Sequence, residues 1–296
     1  MSTDISHSAP PEPVLADPER VSAPGPMTPL RYRVVRHHDE THDTTTLVLE
    51  PVDDAIAAAR PGQFTMLYAP GVGEIPISYS GGVDTREHIV HTIRSVGPVS
   101  KALSSLRAGA VVGVRGPYGS DWRVDAARGR SVIVVAGGIG LAPVRPAVEH
   151  FLANRSDYGT LSLVVGARSP RELLFPQLLG EWGGRFDIDV RVTVDAAGPR
   201  WHGHVGLVTQ SLPTILVDAE DTVAMVCGPE VMMGLVAESL TERGLNAQDL
   251  LVSMERNMQC GVVQCGHCQL REQFLCREGP VLSYDVAAVL LSPREL

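Results

Sequence analysis

The first third of the chain alternates apolar and polar residues in short runs separated by turns. Runs rich in Val, Ile, Thr and Leu that end at Gly or Pro predict strands, here over residues 31–36, 44–50, 63–68, 88–95 and 110–115. About six short strands at this spacing favour a small antiparallel β-barrel. Residues 100–107 predict a single helix laid across it.

The pattern changes near residue 130. Residues 131–136 are continuously apolar, as expected of a parallel strand buried on both faces, and Val144, Val148, Phe151 and Leu152 form one stripe of a following helix. Strands are then predicted at 161–165, 187–194, 222–226 and 249–253, with helices at 171–182, 205–216 and 231–243. Strands that alternate with helices predict an α/β doubly wound parallel sheet.

Composition limits the classes of partner and compartment. The 296 residues suffice for two domains and a small appendage, and the net charge of −9 argues against nucleic acid or an anionic membrane as partner. Apolar runs stay short of the ~20 residues that span a bilayer. Residues 1–28, rich in Pro, Ser and Ala, predict a disordered tail and not a signal peptide. A cytoplasmic location is therefore expected.

Four of the five cysteines are close together near the end of the chain. They have the spacing C-x4-C-x2-C-x7-C and are Cys260, Cys265, Cys268 and Cys276. This is the plant-type pattern of a [2Fe–2S] cluster, in which a tight loop lets three thiolates converge and a fourth closes the cage. A structural zinc site is the alternative, although such sites usually consist of two short Cys hooks. Disulfides are less expected without a secretory signal. The prediction is an iron–sulfur centre.

A glycine-rich turn follows the first predicted parallel strand. Gly137, Gly138 and Gly140 stand between that strand and its helix, where free N–H groups and the helix dipole favour a phosphate. The turn matches neither G-x-G-x-x-G nor a Walker loop. Close packing alone would also explain the glycines.

Two further groups follow strands of the same sheet. Cys227, Gly228 and Pro229 make a sharp turn at the edge where ligands gather, although a lone buried Cys is also an ordinary core residue. Arg168 and Arg171 follow the second parallel strand, where an arginine can meet a 2′-phosphate. Arginines on a solvated surface are the more expected interpretation of both.

The barrel half holds polar candidates of its own. Ser78 or Ser80 could donate a hydrogen bond to a cofactor and Tyr79 could stack on a ring, unless the segment is only a capped turn. Arg94 precedes the small helix, and Ser100 suits either a helix N-cap or a phosphate contact.

Several motifs in this order resemble one family. They are Pro61-Gly-Gln-Phe64, Pro76-Ile-Ser78, Gly116-Pro-Tyr-Gly119, Gly137-Gly-Ile-Gly140 and Cys227-Gly-Pro229. Together they resemble the ferredoxin–NADP⁺ reductase superfamily over about residues 30–290. The cysteine loop narrows the resemblance to electron-transfer subunits: the gamma subunit of cytoplasmic NiFe hydrogenases of the sulfhydrogenase type, and the electron-transfer subunits of anaerobic sulfite reductase and of dihydroorotate dehydrogenase. The short gap after Cys268 is most similar to the hydrogenase and sulfite reductase members, and the hydrogenase subunit is the first choice.

The resemblance implies a domain order and cofactors. It implies an FAD-binding barrel at 29–125, an NAD(P)-binding α/β domain at 126–248 and a [2Fe–2S] segment at 249–296. NAD(P)H would give a hydride to the flavin, which would release electrons singly to the cluster and on to a partner. The partners implied are the small, large and iron–sulfur subunits of a hydrogenase. A zinc-stabilised binding protein without redox function is the alternative of another class.

The resemblance also implies roles for residues. Pro76, Ile77 and Ser78 would lie beside the flavin ring, with Ser78 near N5, while Gly97 and Ser100 would hold the FAD pyrophosphate. Gly137 to Gly140 would hold the nicotinamide cofactor's pyrophosphate and Cys227 would lie beside the nicotinamide, which makes Ser78 and Cys227 the candidate catalytic residues. One departure is Ile75, which stands where the superfamily usually has a flavin-phosphate arginine, so Arg94 is the expected substitute. Whether the nucleotide is NAD or NADP stays open.

Overall fold

The computed structural model describes residues 25–291, so most of the predicted tail at 1–28 lies outside the described residues. The first half forms a closed antiparallel barrel with the order β1-β2-β5-β4-β3-β6, which confirms the predicted barrel. Its elements are β1 Leu30–Asp39, β2 Thr44–Pro51, β3 Phe64–Ala69, β4 Gly73–Gly81, β5 Ile89–Arg94, helix α1 Pro98–Ser104 and β6 Val111–Tyr118.

Strand β4 is missing from the five predicted runs. It contains Pro76 and begins and ends with glycine, residues that lower strand propensity and mask the pattern. The barrel interior is filled by alternate side chains such as Tyr32, Leu47, Leu67 and Ile93, all nearly inaccessible to solvent. The outer surface of β4, β3 and β6 is therefore left to contact other segments.

The second half is a seven-stranded sheet with a doubly wound core, as predicted, in the order β10-β9-β8-β7-β11-β12-β15. Its elements up to the last parallel strand are β7 Ser131–Gly137, α2 Leu141–Ala153, β8 Leu161–Ala167, α3 Pro176–Gly183, β9 Asp189–Val194, β10 His204–Val205, β11 Thr222–Cys227, α4 Glu230–Glu242 and β12 Leu250–Ser253. Strand order reverses between β7 and β11, which makes their carboxyl ends a switch point.

Two predicted helices differ from the structure. The segment 205–216 is a 3₁₀ helix over Val208–Thr214 that contains Pro213, and proline removes the N–H that an α-helix interior needs. The segment 171–182 is split into a 3₁₀ turn, Pro170–Glu172, and helix α3. Pro176 occupies the first turn of α3, a position where its fixed φ is favourable. Further 3₁₀ turns are Val124–Ala127, Gly138–Gly140 and Arg155–Asp157.

The cysteine segment leaves β12 and returns to the same sheet. It contains a small hairpin, β13 Gln269–Leu270 and β14 Gln273–Phe274, followed by β15 Val281–Ser283 and α5 Tyr284–Leu291. Strand β15 pairs antiparallel with β12, so both ends of the cysteine segment are anchored to one strand. Among residues 25–291, no helix is long and apolar enough to cross a membrane.

Candidate functional site

The switch point of the sheet brings together the two predicted nucleotide turns. A Cβ added to Gly140 would lie 2.3 Å from the backbone oxygen of Cys227, and one added to Gly228 would lie 3.0 Å from the backbone N of Gly137. The two turns therefore touch backbone to backbone, which requires glycine. Helix α2 begins at Leu141 with its N-terminus at this crevice, an arrangement suited to an anion.

Cys227 lies at the inner wall of this crevice as a neutral thiol. It is 4% exposed, and its pKa is raised to about 12 by burial and then by the charge of Glu255, against a hydrogen bond with Ser253. A thiol of this pKa is not a nucleophile at neutral pH. The candidate role of Cys227 is thus to pack against a bound ligand and orient it, not to act as a nucleophile.

Glu255 is a site residue that the sequence did not single out. It follows β12 by two residues, at the carboxyl edge of the sheet, and its charge acts on Cys227. Although Glu255 keeps solvent-exposed surface, the protein packed around it desolvates the carboxyl group and raises its pKa, and Glu230 raises it further. The crevice therefore holds a carboxyl group that can carry a proton closer to neutral pH than usual. Its position after a strand was the one available signal.

The two predicted phosphate arginines lie at the same edge of the sheet. Arg168 directly follows β8, which is the neighbour of β7, and Arg171 lies in the next 3₁₀ turn. Both are exposed. A 2′-phosphate at the crevice could reach such side chains, so their role stays a prediction.

On the barrel, the side chains of β4 divide between two faces. Pro76 and Ser78 are paired in register with Met66 and Phe64 of β3, which pack against the cysteine segment. Ile77 instead packs against the barrel interior. Pro76 and Ser78 therefore belong to the outer face of the barrel, and their place beside a flavin stays a prediction.

Tyr79 and Ser80 do not occupy their predicted places. Tyr79 is fully buried in the barrel core, with its ring 5.0 Å from that of His91, so the predicted stacking of Tyr79 on a ligand is wrong. Its inward direction follows from strand alternation, because Ser78 points outward. Ser80 is also fully buried and accepts a hydrogen bond from Thr92 Oγ1 at 2.8 Å, which leaves it inaccessible to a cofactor.

A buried histidine supports the strand that carries Ser78. His91 Nδ1 donates to the Ser78 carbonyl at 2.9 Å, since a carbonyl only accepts, and Nε2 then accepts from Thr65 Oγ1 at 3.1 Å. Burial lowers the pKa of His91 to about 4, despite the opposing hydrogen bond to Ser78. The neutral ring holds the backbone of Ser78 in place from inside the barrel.

This histidine predicts an acid limit to stability. In the unfolded chain His91 takes up a proton below pH 6.5, whereas in the folded protein it stays neutral down to pH about 4. The contribution of His91 to the free energy of unfolding is therefore complete above pH 6.5. It falls by about 1.4 kcal/mol per pH unit, or about 3 kcal/mol in all, as the pH drops from 6.5 to about 4. Urea unfolding at pH 7 and pH 4.5 measures the loss. His91→Asn, which keeps a donor for Ser78, should be less stable at pH 7 but should lose this part of the pH dependence. An equal loss in both proteins would contradict the assignment.

The predicted flavin-phosphate residues make internal contacts. Ser100 Oγ accepts from the N–H groups of Gly97 and Val96 at 2.9 and 3.0 Å, so its hydroxyl closes the turn before α1. The predicted N-cap role of Ser100 is wrong, because Gly97 is the N-cap and Ser100 is the third residue of the helix. Arg94 Nε donates to Asp43 at 2.8 Å. Burial alone would raise the pKa of Asp43, but the hydrogen bonds from Arg94 and neighbouring threonines lower it to about 2. A phosphate at Arg94 would therefore share the guanidinium with this carboxylate.

The cysteine segment gathers thiols with matching hydrogen-bond donors. Cys260, Cys268 and Cys276 are buried and Cys265 is exposed. The backbone N–H groups of residues 262 and 264 point at Cys260 Sγ, with N–S distances of 3.4 and 3.2 Å. Burial and then the neighbouring Cys268 thiol raise the pKa of Cys276 to about 12.

These donors fit a cluster with four cysteine ligands, in which N–H groups directed at sulfur tune the iron. Four thiols also match a zinc site. Within the described part of the chain, no group of three or more His, Cys, Asp or Glu side chains is arranged to hold a single metal ion.

The cysteine segment is docked on the outer face of the barrel. A Cβ on Gly261 would lie 2.9 Å from the Tyr118 ring, and the Ser120 hydroxyl exchanges hydrogen bonds with the backbone of Val281 at 2.7 and 3.0 Å. The rings of Tyr118 and Phe64 are 5.8 Å apart, and Phe64 is the register partner of Ser78. Ser78 and the cysteine segment thus share one face, where Phe64 and Met66 of the neighbouring strand β3 pack against the segment.

Comparison with known proteins agrees with this arrangement. Residues 134–238 match the oxidoreductase NAD-binding domain family. The chain is 32% identical to the sulfhydrogenase 1 gamma subunit of Pyrococcus furiosus, covering 76% of this chain and 79% of that protein. It is 35% identical to a probable dihydroorotate dehydrogenase B (NAD⁺) electron transfer subunit of Methanocaldococcus jannaschii, covering 76% and 80%. The solved structure of an NADH-dependent reduced ferredoxin–NADP oxidoreductase matches with a TM-score of 0.68 at 21% identity, covering 89% of this chain and 94% of that one.

Proposed function

This chain belongs to the ferredoxin–NADP⁺ reductase superfamily, in the branch that includes sulfhydrogenase gamma and dihydroorotate dehydrogenase B electron-transfer subunits, and we propose that it exchanges electrons between NAD(P)H and a partner redox subunit through FAD and a [2Fe–2S] cluster. It is thus an NAD-binding oxidoreductase subunit of the electron-transfer type. The proposal assigns FAD to residues 29–125, NAD(P) to 126–248 and the cluster to 249–296.

One observation carries the proposal. The outer barrel face holds Ser78 on β4 and, docked over β3 and β6, the four-cysteine segment, which packs against Phe64 and Tyr118. When bound, the flavin supplies the conversion between the hydride of a nicotinamide and the single electrons of an iron–sulfur centre. A rigid barrel wall that carries both sites fixes the distance between them.

The residues of this chain bind the cofactors, orient them and exclude water from them. The backbone of Ser78 is held by the hydrogen bond from His91 inside the barrel, and its hydroxyl lies on the outer face, where the flavin is proposed to bind. The glycine turn and the N-terminus of α2 receive a pyrophosphate. The neutral Cys227 thiol packs beside the nicotinamide, and Glu255, whose pKa is raised by desolvation, lies at the same crevice. Cys265, the exposed cysteine, marks the side from which a partner would approach.

The cofactor proposal is tested by an anaerobic visible spectrum of the whole protein before and after NADPH. We expect flavin bands over broad iron–sulfur absorption, with bleaching on addition. A flavin spectrum with zinc in place of iron would contradict the cluster. Colourless protein loaded with zinc would favour the non-redox binding protein instead.

For the partner, we propose a NiFe hydrogenase, because sulfhydrogenase gamma subunits are among the relatives and the gap between Cys268 and Cys276 is short. Dihydroorotate dehydrogenase is the second candidate, favoured by the 35% identity to its electron-transfer subunit. Purification of the tagged chain from its own host should recover hydrogenase subunits and H₂-dependent reduction of NAD(P)⁺. Dihydroorotate-dependent or sulfite-dependent activity in their place would assign the complex to the other members of the branch.

A further inference from the structure

Arg115 of β6 is a buried arginine that joins the barrel to the first cysteine of the cysteine segment. Its side chain is 2% exposed. Its Nε and Nη2 donate to the two carboxylate oxygens of Glu74 on β4, at 2.8 and 2.5 Å. Its Nη1 donates to the backbone oxygen of Cys260 at 2.8 Å and its Nη2 to that of Gln259 at 3.2 Å. The guanidinium therefore lies between a carboxylate and the cysteine segment.

The contacts of Arg115 have an electrostatic effect on the cysteine segment besides holding its backbone in place. A buried charge is tolerated only when it is paired, and the two-pronged contact with Glu74 supplies the pair. A neutral donor could hold the Cys260 carbonyl equally well without the cost of removing a charge from water. The pair instead places its positive charge against the backbone oxygens of Cys260 and Gln259 and its negative charge on Glu74 of β4, in a setting where charges are weakly screened.

We propose that Arg115 is a positioning residue that also favours negative charge on the cysteine ligands, and that Glu74 limits how strongly this charge acts. The inference rests on the proposed function, since it concerns the electron that a centre at these four cysteines accepts. Thiolate ligation makes such a centre negative, and the added electron makes it more so. A buried cation beside Cys260 stabilises the reduced state, and a carboxylate behind that cation weakens the effect.

The two halves of the pair should therefore shift the reduction potential of the cluster in opposite directions. Arg115→Met removes the cation and leaves Glu74, so the potential should fall below that of the wild type. Glu74→Gln keeps a hydrogen-bond acceptor but leaves the cation uncompensated, so the potential should rise. A redox titration followed by electron paramagnetic resonance measures both shifts. A purely structural pair would change both potentials in the same direction or not at all.

Two controls separate charge from fold. Arg115→Lys keeps the charge but loses the planar fork, so the potential should stay close to that of the wild type while iron is lost faster to a chelator. Arg31→Met removes the cation of an exposed ion pair on β1, with side chains 65% and 57% exposed, and should leave the potential unchanged.

The outcomes also separate this inference from the proposed function. Wild-type protein without iron would overturn the proposed function, whereas wild-type protein with a cluster and no opposite shifts would overturn only the role of the pair. If Arg115→Met does not fold, Glu74→Gln decides alone. A raised potential supports the inference, and an unchanged or lowered potential refutes it.

Discussion

Cys265→Ser should remove the iron–sulfur signal and abolish electron transfer to the partner, while NAD(P)H still reduces the flavin at close to the wild-type rate. Cys265 is the exposed cysteine of the four, so a hydroxyl at this position adds no buried polar group and should leave the fold intact. In the proposed function, hydride transfer uses the crevice between β7 and β11 and Ser78, which lie outside the cysteine segment. Iron analysis, electron paramagnetic resonance and stopped-flow reduction of the flavin measure the three quantities.

The fifth cysteine provides the matched control. Cys227→Ala should keep iron and the spectroscopic signal, because Cys227 ends β11 and lies outside the cysteine segment, but it should slow hydride transfer by changing the packing beside the nicotinamide. If folded Cys265→Ser also lost flavin reduction by NAD(P)H, the order of carriers proposed above would be wrong. If it kept its full iron content, Cys265 would not be a ligand.

Periodicity was sufficient to predict both halves of the fold. Short alternating runs identified the barrel, because a strand buried on one face alternates apolar and polar residues. The apolar run at 131–136 identified the first strand of the sheet, because a strand buried on both faces is continuously apolar. Strand β4 gave no such pattern, since Pro76 and the glycines at its two ends lower strand propensity. Because this strand was not predicted, the direction of Tyr79 was also predicted wrongly. Side chains alternate along β4, and this alternation places the ring of Tyr79 in the barrel core.

The contacts that sequence could not predict join residues far apart in the chain. Arg115 is separated by 41 residues from Glu74 and by 145 from Cys260, and no local pattern links an arginine of one strand to a carbonyl in a distant loop. Ser100 shows a different limit. It was predicted as the N-cap of the helix, but it is the third residue of α1, with Gly97 as the N-cap, and only the structure shows that its hydroxyl is used by the turn itself. Residue type predicted what each side chain can do, and packing decided which of these it does.

Of the single methyl groups that could be added at the nucleotide crevice, the one in Gly140→Ala should lower the unfolding free energy and the affinity for NAD(P)H the most. Gly140 has φ −62° and ψ −12°, which suits alanine, so the penalty is purely steric. The new Cβ would lie 2.3 Å from the oxygen and 2.5 Å from the carbon of the Cys227 carbonyl, and 2.7 Å from the N of Gly228. Backbone atoms cannot rotate away as a side chain can, so the two turns must separate, at a cost of about 3 kcal/mol in unfolding free energy. Affinity for NAD(P)H should fall with it, because the proposed anion site is built from both turns.

Gly180→Ala is the matched control, since Gly180 lies inside helix α3 and an added Cβ there meets nothing within 4 Å. It should raise the unfolding free energy by up to about 1 kcal/mol, through helix propensity, and leave nucleotide affinity unchanged. Urea unfolding and titration with NADPH measure both variants. A Gly140→Ala protein of wild-type stability and affinity would mean that the turns beside Cys227 are not in backbone contact. One that is destabilised yet binds NADPH normally would place the nucleotide away from the switch point, because a crevice forced open cannot keep the geometry that holds a pyrophosphate.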